Sequence, residues 1–110
     1  MVIATRVLSL DTGNKEIAVP VRLHAPEREG RAWTCVFEIG WPEGQTRISA
    51  HGEDAFQALI VALQMIAINL YTSDHHKAGR LHSEGWQGGY GFPIAANCRD
   101  LLVGDDAKYF

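Results

Sequence analysis

The sequence has little of what marks a disulfide-stabilised or nucleic-acid-binding protein. Its 110 residues include only two cysteines, Cys35 and Cys98, which are too few and too far apart for a disulfide scaffold. Ten lysine and arginine residues stand against thirteen aspartate and glutamate residues, for a formal net charge of −3. Nucleic-acid recognition normally leaves a basic patch, and none is present beyond the short run at 75–80. We therefore expect no nucleic-acid partner.

The chain also lacks segments that direct a protein into or across a membrane. Residues 1–6 contain no charged leader ahead of a long apolar run, and Arg6 interrupts the only candidate signal. The longest apolar segment, 52–73, is interrupted by Gln57 and Gln64. A spanning helix needs about 20 predominantly apolar residues. We therefore expect a cytoplasmic protein with no membrane partner.

No group of residues has the spacing of a known catalytic or phosphate-binding motif. The chain contains no GxSxG elbow for a nucleophilic serine and no HExxH pair for zinc. Cys35 lies in a strand pattern, where a buried thiol is a poor nucleophile. The glycine-rich run at 85–91 lacks the Gly-Lys-Ser/Thr ending of a phosphate loop. We assign no catalytic residue and no cofactor, and enzymatic activity is the minority hypothesis.

What the composition does indicate is one ordinary globular domain. Apolar residues make up 46% of the chain and charged residues 21%, values typical of folded proteins. Its length matches the usual domain size of about 100 to 150 residues. No linker, internal repeat or low-complexity segment divides it, so we predict a single domain over residues 1–110.

The first half of the sequence has the two-residue alternation of β-strands. It predicts four strands, over 2–10, 16–24, 33–41 and 46–50, separated by turn clusters. Pro20 cannot donate to a ladder, which predicts an edge position or a bulge in the second strand. The alternating charges between the second and third strands, from Glu27 to Arg31, predict a solvated loop.

One helix-length segment follows, from Gly52 to Ser73, and it is apolar on more than one side. Asp54 is predicted to cap the helix, with Gln57 reaching back in a capping box. At about 100° per residue, one broad apolar face fills half of the circumference, more than a core-facing helix needs. We expect this face to pack on the sheet and its leucines to be fully buried. It comprises Ala55, Phe56, Leu59, Ile60, Ala62, Leu63, Ile66, Ala67, Leu70 and Tyr71.

A second, narrower apolar stripe lies on the other side of this helix. It comprises Ala58, Val61, Met65 and Ile68, at spacings like those of a coiled-coil seam. The stripe needs a cover, which is either the C-terminal segment folded back or a helix of another chain. In the second case we expect a homodimer, in which the same patch meets itself across a two-fold axis.

Strands joined by short turns and followed by one long helix predict an α+β fold. We expect an antiparallel β-meander of about four strands packed by a helix over about 53–72. A C-terminal segment rich in glycine and aromatic residues follows, after a candidate short strand at 81–84. In that segment Trp86, Tyr90 and Phe92 alternate with glycines, so 85–93 is either a plug for the core or an adaptable recognition loop.

The histidines after the helix are the best candidates for metal ligands. Imidazole and carboxylate groups are ordinary ligands of zinc and copper, so Asp74, His76 and His82 form one weak candidate site. His51 lies at the other end of the helix, roughly 30 Å away, and cannot share it. The competing interpretation is solvated loop histidines near a helix C-terminus, where the dipole favours positive charge.

Three segments together resemble a known family. The helix GEDAFQALIVALQMIAINLYTS, the following HHKAGRL and the closing GYGFPI resemble a family of small uncharacterised bacterial proteins, a domain of unknown function. The resemblance covers most of the chain and implies the sheet, the long helix and the Gly-aromatic segment. It implies no activity, cofactor or catalytic residue.

Two classes of function remain open. The first is a small non-catalytic cytoplasmic module that binds another protein or its own copy. The second is a small-molecule- or metal-binding protein, or an enzyme, that uses the loop 85–93 and the nearby histidines. The excess of apolar helix surface favours the first. Its expected interaction surface comprises Ala58, Val61, Met65, Ile68, Trp86, Tyr90 and Phe92.

Overall fold

The computed structural model describes residues 1–110 and has the predicted α+β class, with a helix packed on an antiparallel sheet. Five strands come first: β1 (Val2–Asp11), β2 (Glu16–His24), β3 (Glu27–Glu29), β4 (Ala32–Trp41) and β5 (Gly44–Gly52). The remaining elements are α1 (Ala55–Tyr71), α2 (Asp74–Lys77), β6 (Leu81–His82), a 3-10 helix (Ala96–Leu101) and α3 (Gly104–Tyr109). None of the helices is long and apolar enough to cross a bilayer.

The strands form one six-stranded sheet in the order β3-β4-β2-β1-β6, and β5 also pairs with β4. The four predicted strands correspond to β1, β2, β4 and β5, and their bounds differ by at most two residues. The pairing of β4 with β5 is continuous, from Trp33 opposite Gly52 to Trp41 opposite Gly44. The meander is therefore confirmed, and two short strands extend it.

The segment predicted as a charged loop contains the short strand β3. Its three residues are all exposed and pair with β4, with Glu27 opposite Thr34 and Glu29 opposite Ala32. The prediction was wrong because alternating charges give neither face of the strand an apolar character. The strand is held by its backbone pairing with β4, which hydropathy does not report.

Pro20 is not on an edge strand, because β2 lies between β4 and β1 in the strand order. The ladder with β4 begins one residue later, with Val21 opposite Ile39. A glycine on the neighbouring strand accommodates the ring. A Cβ built on Gly40 would lie only 2.9 Å from Pro20 Cγ. The proline is tolerated inside the sheet because the strand beside it has no side chain at the point of contact.

A bulge does occur in this part of the sheet, but at residues 24–26. Leu23 pairs with Phe37, and Glu27 pairs with Thr34. The path from Leu23 to Glu27 therefore contains one residue more than the stretch of β4 opposite it. One extra residue is the definition of a β-bulge.

The chain separates into two compact units. The first unit comprises residues 1–7 and 19–63, and the second comprises 8–18 and 64–110. The first has a core of strand and helix residues: Val19, Val21, Leu23, Cys35, Phe37, Ile39, Ala50, Ala58 and Ala62. The second has its own core: Leu8, Leu10, Ile66, Ala67, Leu70, Tyr71, Leu81, Tyr90, Phe92, Ile94 and Leu102.

The start of α1 is capped much as predicted. Asp54 Oδ1 accepts a hydrogen bond from Gln57 N at 2.7 Å. The side chain of Gln57 reaches back, and its Oε1 accepts from Glu53 N at 2.6 Å. Two backbone N–H groups at the helix start therefore have partners, as in a capping box shifted by one residue.

The core face of α1 within the first unit differs from the predicted broad face. Ala58 and Ala62 are fully buried, whereas Phe56 is 79% exposed and Ile60 is 52% exposed. The leucines predicted to be fully buried there, Leu59 and Leu63, are only half-buried. In this half of the helix the predicted core face is therefore confirmed at Ala62 and wrong for the large side chains.

The reason is the close approach of the helix start to the end of β5. A Cβ built on Gly52 would lie 2.4 Å from Ala58 N and 2.9 Å from Gln57 Cβ. Only small side chains fit where backbones come this close. Alanines therefore face inward and the larger apolar residues face outward, although a hydropathy wheel assigns the large residues to the core.

Within the second unit the predicted face is the core face. Ile66, Ala67, Leu70 and Tyr71 are all buried, which confirms this part of the prediction. At 3.6 residues per turn, Ala67 and Tyr71 lie on the same side of the helix as Phe56 and Ile60. One side of α1 is thus exposed near its start and buried near its end.

Two isoleucines of α1 provide a matched test of this helix orientation. Ile66 is fully buried, whereas Ile60 is 52% exposed. We expect Ile66→Ala to lower the free energy of unfolding by about 2 to 5 kcal/mol, since it leaves a cavity in the core. Ile60→Ala should change it by less than about 1 kcal/mol. Urea unfolding followed by circular dichroism measures both, and equal losses would contradict the orientation.

Candidate functional site

The most connected polar group of the second unit is the side chain of Asp106 in α3, which is fully buried. Its Oδ2 accepts hydrogen bonds from Tyr71 Oη at 2.6 Å and from Tyr90 N at 2.8 Å. Its Oδ1 accepts from Trp86 Nε1 and Gly91 N, both at 2.7 Å. We call these five residues the Asp106 cluster. A buried carboxylate is costly without partners, and here each oxygen has two.

Glycines allow the chain segments of the Asp106 cluster to come together. A Cβ built on Gly89 would lie 2.2 Å from Asp106 Cγ, and one on Gly104 would lie 2.1 Å from Gln87 O. Both glycines have positive φ, at 78° and 55°. Any other residue there would combine backbone strain with a steric clash. Gly89 therefore allows the backbone of this segment to lie directly against the carboxylate of Asp106.

Three aromatic rings pack edge to face beside this carboxylate. The ring centroids lie 4.8 Å apart for Tyr71 and His76, 5.3 Å for Tyr71 and Tyr90, and 5.5 Å for His76 and Tyr90. His76 Nδ1 and Tyr90 Oη share a hydrogen bond. Edge-to-face pairs of this kind stabilise beyond the area they bury. The rings fix the orientation of the Tyr71 hydroxyl that donates to Asp106.

Burial sets the protonation of these three rings. It raises the pKa of Tyr71 and of Tyr90, and the nearby Asp106 carboxylate raises both further. Burial also lowers the pKa of His76 below its usual 6.5. The phenols are therefore protonated and the imidazole is neutral at neutral pH. The protonated Tyr71 hydroxyl therefore donates to Asp106, and neither phenol is an activated nucleophile.

The structure does not assemble the metal site predicted from Asp74, His76 and His82. No three histidine, cysteine, aspartate or glutamate side chains are grouped so that they could hold a metal ion. His76 lies in α2, where its N donates to the capping Ser73 Oγ at 3.1 Å, and its ring packs against tyrosines instead. His82 is exposed in β6, opposite Ser9.

The residues of the expected interaction surface differ in exposure. The side chains of Ala58, Tyr90 and Phe92 are buried within the chain, so they do not form part of its exposed surface. Those three assignments are corrected, because the aromatic side chains fill the core of the second unit and Ala58 that of the first. The other four residues, Val61, Met65, Ile68 and Trp86, are half-buried. Self-association itself stays a prediction.

A polar cluster of the first unit was missed by the sequence analysis. Glu38 Oε1 and His24 Nε2 lie 2.7 Å apart, and Glu38 Oε2 accepts from Gln45 Nε2 at 2.6 Å and from Arg47 Nη1 at 3.0 Å. The pKa of Glu38 lies below its usual 4.5. The main cause is the hydrogen bond with His24, and the hydrogen bond with Arg47 lowers it further. The cluster depends on the register that sets Glu38 opposite Arg47.

A recess of about 280 Å³ adjoins this polar cluster, with His24, Glu27, Thr34 and Arg47 among its lining residues. Its lining residues Glu27 and Arg47 have charges of opposite sign. His24 and Arg47 are each already paired with Glu38. The recess therefore has no charge character that would select a cation or an anion.

Exposed large apolar side chains are concentrated in the first unit. Six of the nine belong to it: Met1, Val2, Ile3, Val7, Phe56 and Ile60. Phe56 and Ile60 lie one turn apart on α1, with the half-buried Leu59 and Leu63 on the same side. We call these four residues the Phe56 patch. No charged residue occurs anywhere in α1.

The lowered pKa of Glu38 predicts a specific acid dependence. Because the folded-state pKa lies below the unfolded value, the carboxylate stabilises the fold above about pH 4.5. That contribution is lost as the pH falls through the folded pKa. We expect Glu38→Gln to lower stability at pH 7 by no more than about 1 kcal/mol, since Arg47 is largely exposed. The difference from wild type should shrink by pH 3.

Urea unfolding at pH 7, 5 and 3 measures this dependence, with Glu16→Gln as the control at an exposed position of β2. The control should track the wild type at every pH. A deficit of Glu38→Gln that stays constant down to pH 3 would show that the lost contribution is packing and not charge.

The Tyr71 hydroxyl offers a test of the Asp106 cluster. Tyr71→Phe removes one of the two donors to Asp106 Oδ2 and leaves the ring in place. We expect a loss of about 1 to 3 kcal/mol in the free energy of unfolding, since a buried charged acceptor loses a partner. Tyr109→Phe, at a ring that is 61% exposed, is the matched control and should be near neutral. Similar unfolding midpoints for the two variants would contradict the assigned role.

Comparison with known proteins places this architecture in a family. Comparison with curated proteins gave no match, and comparison with solved structures gave none either. The family model described as a domain of unknown function, DUF6968, matches residues 4–94. The matched range includes the sheet, α1 and the Gly-aromatic segment, and it confirms the resemblance to an uncharacterised domain family. The chain belongs to the DUF6968 family.

Proposed function

We propose that the protein is a small non-catalytic cytoplasmic interaction module that associates with a second copy of itself through the Phe56 patch. The observation that carries this proposal is the exposure of Phe56 and Ile60, at 79% and 52%, on adjacent turns of one helix. Scattered single apolar residues are normal on protein surfaces, whereas contiguous ones mark interaction sites. Aromatic residues are also enriched among those that dominate binding energy.

The spacing of the Phe56 patch is that of a helix-packing surface. Its residues lie at positions i, i+3, i+4 and i+7, which form one stripe along an α-helix. Phe56 and Ile60 of this stripe are exposed, because the core of the first unit takes the alanines of α1 instead. An apolar helix stripe of this kind packs on another helix through interlocking side chains.

The absence of charge on α1 favours a second copy as the partner. In a two-fold dimer the same patch meets itself, so every charge would face a like charge nearby. With no charged residue in its 17 residues, α1 brings no such repulsion. It equally provides no charge pattern by which a charged partner would be recognised. The small net charge of −3 also permits two copies to approach.

The Phe56 patch alone is smaller than a standard interface, which buries about 800 Å² on each partner. The first unit also exposes Val2, Ile3 and Val7 on β1. These residues provide further apolar surface in the same unit. A stable interface centred on Phe56 therefore needs contacts beyond α1.

Two further observations support the proposed cytoplasmic location and the proposed non-catalytic role. Both cysteines are free thiols, as expected in a reducing compartment such as the cytoplasm. In the loop 85–93, the site of the alternative small-molecule or metal-binding function, the backbone N–H groups of Tyr90 and Gly91 already donate to Asp106. The observations therefore favour an interaction module over a ligand-binding enzyme.

The oligomeric state tests the proposal. Sedimentation velocity over a wide concentration range should show a reversible monomer–dimer equilibrium for the wild type. Phe56→Glu and Ile60→Glu should raise the dimer Kd by at least about 30-fold, the equivalent of about 2 kcal/mol. Both variants should keep the circular dichroism spectrum and Tm of the wild-type monomer, because the new carboxylate is exposed to water once the copies separate.

Leu101→Glu is the matched control, since Leu101 is an exposed apolar residue in the 3-10 helix and 36% accessible. It should leave the Kd unchanged. A wild type that stays monomeric at the highest concentration would overturn self-association. Dimers weakened equally by Leu101→Glu would overturn the assignment to the Phe56 patch.

A further inference from the structure

The C-terminal residues of the chain are bound by the second unit as a peptide ligand would be. Asp105 makes two hydrogen bonds with the backbone of Gln87, each of 2.8 Å. Asp105 N donates to Gln87 O, and Asp105 Oδ2 accepts from Gln87 N. The rings of Tyr109 and Phe110 lie 5.7 Å and 6.5 Å from that of Trp86. Residues 104–110 thus contact the loop 86–91 through the hydrogen bonds of Asp105, the aromatic rings of Tyr109 and Phe110, and the buried carboxylate of Asp106.

The donors that receive Asp106 form a site made for a planar carboxylate. Two are consecutive backbone N–H groups, of Tyr90 and Gly91, and two come from the side chains of Tyr71 and Trp86. Consecutive N–H groups beside glycines with positive φ form an anion-binding concavity. Each carboxylate oxygen receives one backbone and one side-chain donor. No lysine or arginine takes part.

The shape of the site selects a flat group. Gly89 passes so close that a Cβ built on it would lie 2.2 Å from Asp106 Cγ. This backbone wall lies directly against the carboxylate carbon, and the oxygens occupy both donor pairs. A tetrahedral phosphate or sulfate has further oxygens that would meet the wall. The aspartate side chain of residue 106, carried by the short helix α3, fills this space.

The donor residues and Asp106 lie on different sides of the end of the family match. All four donor residues lie within the matched range 4–94, whereas Asp106 lies outside it. We infer that Tyr71, Trp86, Tyr90 and Gly91 form a peptide-binding site of the domain, specific for an acidic side chain followed by aromatic residues, which the chain's own residues 104–110 occupy. The same chemistry can come from the same chain or from a separate peptide. The two sources compete for one set of donors.

The competition is testable in the full-length chain. Asp106→Ala removes the resident carboxylate, and the chain keeps all four donor groups. A fluorescently labelled peptide of residues 103–110, VGDDAKYF, is the probe, and VGDNAKYF, with asparagine at the position of Asp106, is its control. Anisotropy titration should show saturable binding of the first peptide to Asp106→Ala. The control peptide should bind at least about 10-fold more weakly, since charge-assisted hydrogen bonds are lost.

The wild type should bind VGDDAKYF at least about 10-fold more weakly than Asp106→Ala does, because its site is occupied. This comparison separates the two sources of the carboxylate. A folded Asp106→Ala that does not bind the peptide would overturn the inference. So would equal affinity for the aspartate and asparagine peptides, or equal affinity of wild type and variant.

A second measurement covers a variant that is too unstable to titrate. Acetate is the smallest carboxylate that can occupy the vacated site, and acetamide is its neutral counterpart. The Tm of Asp106→Ala should rise saturably with sodium acetate, and neither acetamide nor sodium chloride at equal concentration should produce that rise. A Tm that responds equally to acetate and chloride would show that the donors do not form a carboxylate site.

Discussion

The second unit depends on satisfying one buried carboxylate. Asp106 is fully removed from water, and an isolated charge in that position would be strongly unfavourable. Its donors come from the end of α1, the side chain of Trp86 and the backbone at 90–91. These groups must be in place together, because each missing donor leaves part of the charge unpaired. The conformation of 86–91, the position of α3 and the rotamer of Tyr71 are therefore determined jointly.

This requirement explains why α1 is covered at one end only. Tyr71 and Ala67 are buried because the cluster around Asp106 holds the Gly-aromatic segment over that side of the helix. Phe56 and Ile60 lie on the same side, two to four turns earlier, and nothing equivalent covers them. Meanwhile Gly52 brings the helix start close to β5 and leaves room only for alanine on the inner side. Close packing inside and the absence of a cover outside together produce the exposed patch.

Sequence alone predicted the elements whose signal is periodic. Alternation gave the four main strands to within two residues, and the apolar segment gave α1. The orientation of α1 was not predictable from hydropathy, because it depends on how closely Gly52 approaches Ala58. Asp106 was missed for a related reason. A single aspartate in a polar C-terminal segment has no periodic signal, and its donors are 15 to 35 residues away in sequence.

Glu38 and Asp106 are both carboxylates paired inside the fold, but their partners differ in chemical kind. Glu38 lies near the surface and is paired with ionisable side chains, so pH and salt act on it directly. Asp106 is held only by neutral donors, two of them backbone N–H groups, in a place that bulk ions do not reach. An interaction of the first kind responds to solution conditions. One of the second kind responds to whatever supplies the carboxylate, and this difference makes the Asp106 site a recognition element as well as a structural one.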